Sequence, residues 1–410
     1  MTDTLTVENF GPVQGRLSPA FEGVKDALVR QFHEGRQVGA SLYVLHQGKP
    51  VVDLWGGYAN RAQKTPWNED TRVVLFSVTK GFVAMAFLLL HERGLLDWEA
   101  PVAKYWPEFG CRGKETMSVR TLLEHRGGLS TLSKTIHVPD CYDPKRRARL
   151  LRVMERQKPR WEPGSTQAYH TITYGLYAAE LFERIAQESV GTFLRREVFE
   201  PTGSDVYLGT PAHLDEKFAT LYPPSTAARV WRMVKDRFAY ADTPDARILE
   251  TFLLPWSVSR QSLTNPRFSF NRVAPYNTPE VYRHELAWAS ATGTAEGIAR
   301  AYAPLAADGS FSGQRIFAPE TAALPQPRSS WSDFDQTLKK PMGWTCGFVK
   351  ENPGVFGPNL EAFGHPGMGG AIGWADPVAE LAIGYAHNRM GWRVRPRRTL
   401  ELMEAIYASL

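Results

Sequence analysis

Strand-like segments occur at the two ends of this chain, and the stretch between them reads mainly as helix. Short strands must pair to satisfy their backbone groups, so this distribution forces the two ends to meet. Gly39 to Leu45 and Pro50 to Trp55 are rich in Val, Leu, Tyr and Trp, and Gln47-Gly48-Lys49 supplies the turn of a hairpin. A third strand candidate, Thr71 to Phe76, runs straight into Ser77. In the last hundred residues, Trp344 to Lys350, Leu360 to His365, Ala371 to Ala375 and Leu381 to Ala386 are each bounded by Gly, Pro or Asn. Helices flank both sets. Leu17 to Glu34 places Phe21, Val24, Leu28, Val29 and Phe32 at helical spacing, and Arg398 to Ser409 closes the chain.

Between the ends the period changes. Phe82 to Leu90 is almost wholly apolar, with Gly94 where a C-cap belongs, which predicts a buried helix starting at or just before Ser77. Helix signals follow at Val119 to His125, Arg146 to Gln157, Thr173 to Glu188 and Thr192 to Val198, and the longest irregular stretch lies around Tyr222 to Thr278. The expected fold is α+β, an α/β-type sandwich: an antiparallel sheet flanked by terminal helices and carrying an inserted, mainly helical domain. Residues 1–76 and 290–410 would form the discontinuous sheet domain, and residues 77–289 the helical one.

Composition removes several function classes. With 43% hydrophobic and 22% charged residues in 410, the chain is of ordinary globular make-up. Its net charge of +5 is spread out. The densest basic run, Lys145-Arg146-Arg147-Ala148-Arg149, continues into Leu150-Leu151 and reads as a helix with a solvated face, so no nucleic-acid partner is expected. The three cysteines, Cys111, Cys141 and Cys346, lie far apart and form no Cys-x-x-Cys pair. The start lacks a basic, then apolar, leader pattern. The longest apolar stretch, Val83 to Leu90, is far short of the roughly 20 residues that span a bilayer. A cytoplasmic protein with no membrane partner is expected. No His-Glu-x-x-His, calcium loop, glycine-rich phosphate loop or Gly-x-Ser-x-Gly elbow occurs, so neither a metal nor a cofactor is expected.

What remains is Ser77-Val78-Thr79-Lys80, the only Ser-x-x-Lys in the chain. On spacing alone it is equally an N-cap serine with a first-turn lysine. Its place, where a strand gives way to a buried helix, puts hydroxyl and ammonium on one helix face. A serine becomes a nucleophile when a neighbouring base takes its proton. A lysine is such a base only when burial or positive charge lowers its pKa from about 10.4. Tyr169, in the turn-rich Trp161-Glu162-Pro163-Gly164-Ser165-Thr166-Gln167-Ala168-Tyr169-His170-Thr171, is the candidate proton relay, as a tyrosinate held between lysine-like charges. A third element, Phe363-Gly364-His365-Pro366-Gly367-Met368-Gly369-Gly370, lies near a strand edge, where its glycines let a ligand or another backbone approach closely. Trp231, Trp256, Trp344 and Trp374 could wall an apolar pocket.

In this order and spacing the three elements resemble the serine β-lactamase and penicillin-binding-protein superfamily, most of all its class C-like branch with the family VIII carboxylesterases. Supporting strings are Thr121-Leu122-Leu123-Glu124-His125-Arg126-Gly127-Gly128-Leu129, Ala291 to Arg300, and Gly373-Trp374-Ala375-Asp376-Pro377. The resemblance implies that Ser77 is acylated, that Lys80 and Tyr169 form its base pair, and that the N–H groups of Ser77 and Met368 make the oxyanion hole. His365 and Gly367 would line the site. Two positions depart from the family pattern. Thr171 stands where the tyrosine motif usually has asparagine, and His365 replaces the lysine of Lys-Thr-Gly. Histidine lacks a permanent ammonium, so both changes favour neutral esters over lactam carboxylates. The class A Ser-Asp-Asn triplet is absent, since Ser204-Asp205-Val206 and Ser332-Asp333-Phe334 fail at their third positions.

The expected function is a serine carboxylesterase acting on a small short-chain ester through acyl-Ser77. A β-lactamase or D-amino-acid-specific peptidase of the same fold is the alternative, and a catalytically silent scaffold protein is the second. Oligomeric state is left open.

Overall fold

A computed structural model describes residues 6–224, 231, 234–235, 244, 247–248, 254–268, 273–391 and 396–410. The Tyr222 to Thr278 stretch therefore lies partly outside the described residues. The main sheet takes strands from both ends of the chain. They are β1 (Val13–Leu17), β2 (Gly39–His46), β3 (Lys49–Asn60), β4 (Ser330–Ser332), β5 (Met342–Thr345), β6 (Phe348–Val349), β7 (Phe363–Pro366), β8 (Ile372–Asp376) and β9 (Leu381–His387). Their spatial order is β1-β3-β2-β9-β8-β7-β6-β5-β4, antiparallel throughout, with two further two-residue strands attached near the β1 and β3 end. The two halves join where β2 pairs with β9, in a register that sets Leu42 opposite Tyr385 and Val44 opposite Ile383.

Period-2 alternation decides what each face packs against. Leu42, Val44, Leu54, Ile383 and Tyr385 face α1 (Glu22–His33) and the C-terminal helix, Arg397–Tyr407, which supplies Leu402, Met403 and Ile406. Tyr43, Leu45, Ala382 and Ala386 face the opposite way, into the larger core. On that side the sheet is lined by small residues where the helix Ala295–Tyr302 lies over it: a Cβ on Gly384 would overlap the Ala295 carbonyl oxygen, and one on Gly373 the Tyr302 ring. The backbone of this helix therefore sits closer to the sheet than any larger side chain would allow.

In chain order the other helices used below are α2 (Val78–Glu92), α3 (Pro144–Arg156), α4 (Thr173–Ala186) and α5 (Val258–Thr264), so Ala295–Tyr302 is α6 and Arg397–Tyr407 is α7. Every residue of α2 from Val78 to Leu90 is buried, which explains a sequence with no polar face. Phe87 of α2 meets Phe182 of α4 edge to face at 5.7 Å. The basic run lies on α3, which buries Leu150 and Met154 and sets Arg147 against Glu180 and Glu183.

Three local expectations are corrected. Val13–Leu17 is a strand, so the N-terminal helix starts later than its apolar spacing suggested. Trp344 to Lys350 is two strands and a turn, because Cys346 and Gly347 both take positive φ. Thr71 to Phe76 contains only the two-residue strand Val73–Val74, which pairs with Thr292–Gly293 in a separate small sheet. Among the described residues no helix is long and apolar enough to cross a membrane.

Candidate active site

Ser77 is the N-cap of α2, and the residue before it, Phe76, has φ +49°, a conformation that costs a non-glycine residue energy. The bend turns the chain from the small sheet into the buried helix. It is fixed by the Leu75 N–H donating to Ala291 O at 2.8 Å, and by the Ala291 N–H donating to Thr79 Oγ1 at 3.1 Å. One helical turn on, Lys80 Nζ lies 2.9 Å from Ser77 Oγ and 2.9 Å from the Trp288 carbonyl oxygen. Lys80 is fully buried, and no carboxylate among the described residues is paired with it. Desolvation alone pushes its pKa well below the usual lysine range, because an unpaired ammonium is costly in an apolar interior.

Tyr169 completes the contact from the other side, its hydroxyl donating to Ser77 Oγ at 2.9 Å. Lys80 Nζ sits 5.1 Å from the Tyr169 ring centroid. Burial pushes the Tyr169 phenol up, the hydrogen bond to Ser77 opposes this, and the Asp335 carboxylate raises it further. The expected tyrosinate between two positive charges is therefore corrected. Among the described residues one lysine, Lys80, lies against the Tyr169 ring, and burial favours the neutral phenol.

The segment carrying Tyr169 is held by its backbone. The Ala168 N–H donates to His125 O at 3.0 Å, the Tyr169 N–H to Asp335 Oδ2 at 2.8 Å and the His170 N–H to His125 Nδ1 at 2.9 Å. The Tyr169 ring stacks on Trp344 at 5.7 Å with planes 9° apart, and the His125 ring lies 4.8 Å away. Thr171 faces α5: Ser262 Oγ donates to Thr171 Oγ1 at 3.0 Å. A hydroxyl pair thus occupies the position where the family pattern has an amide.

His365 on β7 lies 6.2 Å from the Tyr169 ring and 6.0 Å from Trp344. Its Nδ1 is 2.9 Å from Pro366 O, an acceptor only, so Nδ1 carries the proton. Burial, with Lys80 nearby, pushes its pKa down to about 3, and the ring is neutral. A Cβ on Gly367 would overlap the Leu75 carbonyl oxygen, so the glycine turn lies directly against the segment that leads into Ser77. Among the described residues no protein acceptor takes the Ser77 or the Met368 N–H. Met368 is 46% exposed.

Ser77, Lys80, Tyr169, His365 and the Gly367–Met368 turn are therefore brought together, and Thr171 borders them through its link to α5. The tryptophans divide. Trp344 packs on Tyr169, whereas Trp374 points to the far face of the sheet, 5.1 Å from Phe356, and walls no pocket here. Trp231 and Trp256 are 63% and 65% exposed. His125 had a signal, since it lies in a quoted supporting string. Asp335, Ser262 and the Trp288 carbonyl had none, because each lies far from Ser77 and Tyr169 in sequence and meets them only in the folded chain. No group of three or more metal-ligating side chains occurs among the described residues.

The chain as a whole is similar to several known proteins. The Beta-lactamase family model matches residues 26–407. Esterase/beta-lactamase LipL of Mycobacterium tuberculosis is 31% identical over 383 residues, which cover 92% of this chain and 83% of LipL. A crystal structure of a family VIII carboxylesterase superposes with a TM-score of 0.83 at 32% identity, covering 97% of this chain and all of that one. A penicillin-binding protein homologue from Caulobacter crescentus gives a TM-score of 0.82 at 28% identity, covering 98% of this chain and all of that one.

Proposed function

We propose, from the premise that the chain belongs to the beta-lactamase family, that it is a serine carboxylesterase acting on short-chain esters through an acyl-Ser77 intermediate. The observation that carries this reading is the pair of 2.9 Å contacts on Ser77 Oγ, one from Lys80 and one from Tyr169. A neutral Lys80 amine has a lone pair within reach of the Ser77 proton. It takes that proton as Oγ attacks the ester carbonyl carbon, and the carbonyl oxygen becomes an oxyanion. The Ser77 and Met368 N–H groups would receive it. As the tetrahedral intermediate collapses, the proton passes from the Lys80 ammonium through the Tyr169 hydroxyl to the departing alkoxide, and the alcohol leaves. Water then repeats the sequence against the acyl carbon, and Ser77 departs with its proton restored.

Neutral esters suit this site better than anionic lactams. His365 is uncharged at any pH near neutrality, and Ser262 and Thr171 offer hydroxyls where an amide would meet a lactam side chain. The names of LipL and of the carboxylesterase structure support the same choice. LipL's name also keeps lactam cleavage as the second reading. Ser77→Ala is expected to abolish hydrolysis of a short p-nitrophenyl ester while leaving the far-UV spectrum intact; retained turnover would refute the assignment. A chromogenic cephalosporin assayed beside the ester ranks the two readings, and the ester is expected to turn over faster.

A further inference from the structure

The glycine turn after β7 is tied to the C-terminal helix, and one tie is a buried charge with no acid opposite it among the described residues. The turn closes on itself, with the Gly367 N–H donating to Ala371 O at 2.7 Å and the Gly370 N–H to Gly367 O at 3.1 Å. Gly369 O accepts from the Gly391 N–H at 2.9 Å and from Arg398 Nη2 at 2.6 Å. Gly370 O accepts from Thr399 Oγ1 at 2.7 Å. Among the described residues, the N–H groups of Met368 and Gly369 are the two in this turn that no protein acceptor takes.

Arg398 and Thr399 stand in the first turn of α7, and both are buried. The other guanidinium partners of Arg398 are Arg36 O at 3.1 Å and the His387 ring, whose Nδ1 is 3.1 Å away. Neither is acidic. Glu401, the first acid of the same helix, is paired with Arg36 and Arg397 instead. A buried cation facing only neutral acceptors is costly, so its presence needs a compensating use. Beside a turn that offers unclaimed N–H groups, such a charge favours an anion, and it does so most strongly away from water.

We propose that Arg398 is a positioning residue for the reaction: it fixes the turn that aims the Met368 N–H at the oxyanion and adds a standing positive potential there, with Thr399 holding the adjacent carbonyl. This rests on the acyl-Ser77 reading, in which the oxyanion forms at that turn.

The test compares Arg398→Gln, Arg398→Lys and Thr399→Val with the unaltered chain, on a p-nitrophenyl ester and on phenylboronic acid, whose adduct with a serine carries a tetrahedral negative charge. Arg398→Gln is expected to lower kcat by at least 10-fold with KM within about twofold, and to weaken boronate affinity by the same factor as kcat/KM. Arg398→Lys should recover part of that loss, and Thr399→Val should lose roughly 3- to 10-fold. Should Arg398→Gln fail to fold, the other two variants decide. Kinetics and boronate affinity unchanged in the variants that fold, with only a lowered thermal midpoint, overturn the proposal and leave Arg398 a structural tie. Ser77→Ala distinguishes the two failures: turnover surviving that change refutes the acyl-Ser77 reading itself.

Discussion

Lys80 gains its chemistry from what surrounds it. The sequence displayed the spacing to Ser77 and the apolar company that follows, but not the enclosure by Trp288, Tyr169 and Tyr174, which come from remote parts of the chain. Its pKa is lowered, so the reactive neutral amine builds up as pH rises through a value below the usual 10.5. The expected profile of kcat/KM is a rise with pH to a plateau, with the rising limb below 10.5 and activity lost on acidification. His365 is held to about 3 by its burial, so it contributes no limb between pH 5 and 8. His365→Gln should therefore leave the midpoint of the rise in place. A shift of that midpoint, measured across the same buffers, would assign the base to the histidine. Asp335 marks the limit of legibility at this scale: Ser332-Asp333-Phe334-Asp335 resembles any polar loop, and only the folded chain sets its carboxylate on the Tyr169 N–H.

Elements were more legible than their edges. The first hairpin is found as expected because Gln47 and Gly48 both adopt positive φ, the geometry that a tight two-strand turn requires. The pairing of β2 with β9 could be inferred only as a need for partners, since periodicity marks a strand without naming its neighbour. The role of the small residues was also hidden. Ala382, Gly384 and Ala386 lie in the segment read simply as a strand, and their value lies in letting α6 settle onto the sheet. Gly384→Ala places a methyl group on the Ala295 carbonyl, so α6 must lift. The expected cost is about 3 kcal/mol, read as a lower urea midpoint with unchanged slope. Because Ala291, just before α6, braces the bend at Ser77, esterase activity per folded molecule should fall as well.

At the scale of the whole chain, the terminal helices close one face of the sheet together. Leu402, Met403 and Ile406 are each buried there, worth roughly 1.5–3 kcal/mol apiece. Their sum rivals the roughly 5–15 kcal/mol by which domains are stable. Removing residues 397–410 is therefore expected to abolish the cooperative thermal transition and not merely to lower it. A truncated chain that still melts sharply would show the sheet to be self-sufficient. The meeting of the two ends was foreseeable from where strand patterns occur, whereas the exact partners were settled by packing across more than three hundred residues.

That seam also orders events during synthesis. The edge of β2 that β9 will cover is made early, and at about 5–20 residues per second it waits roughly 20–70 s for its partner to be translated. For that interval a strand of Ala, Leu, Tyr and Val carries an unpaired ladder of N–H and C=O groups, the template on which nascent chains associate. That edge stays open to other chains until about the last tenth of the sequence, which carries β9, leaves the ribosome.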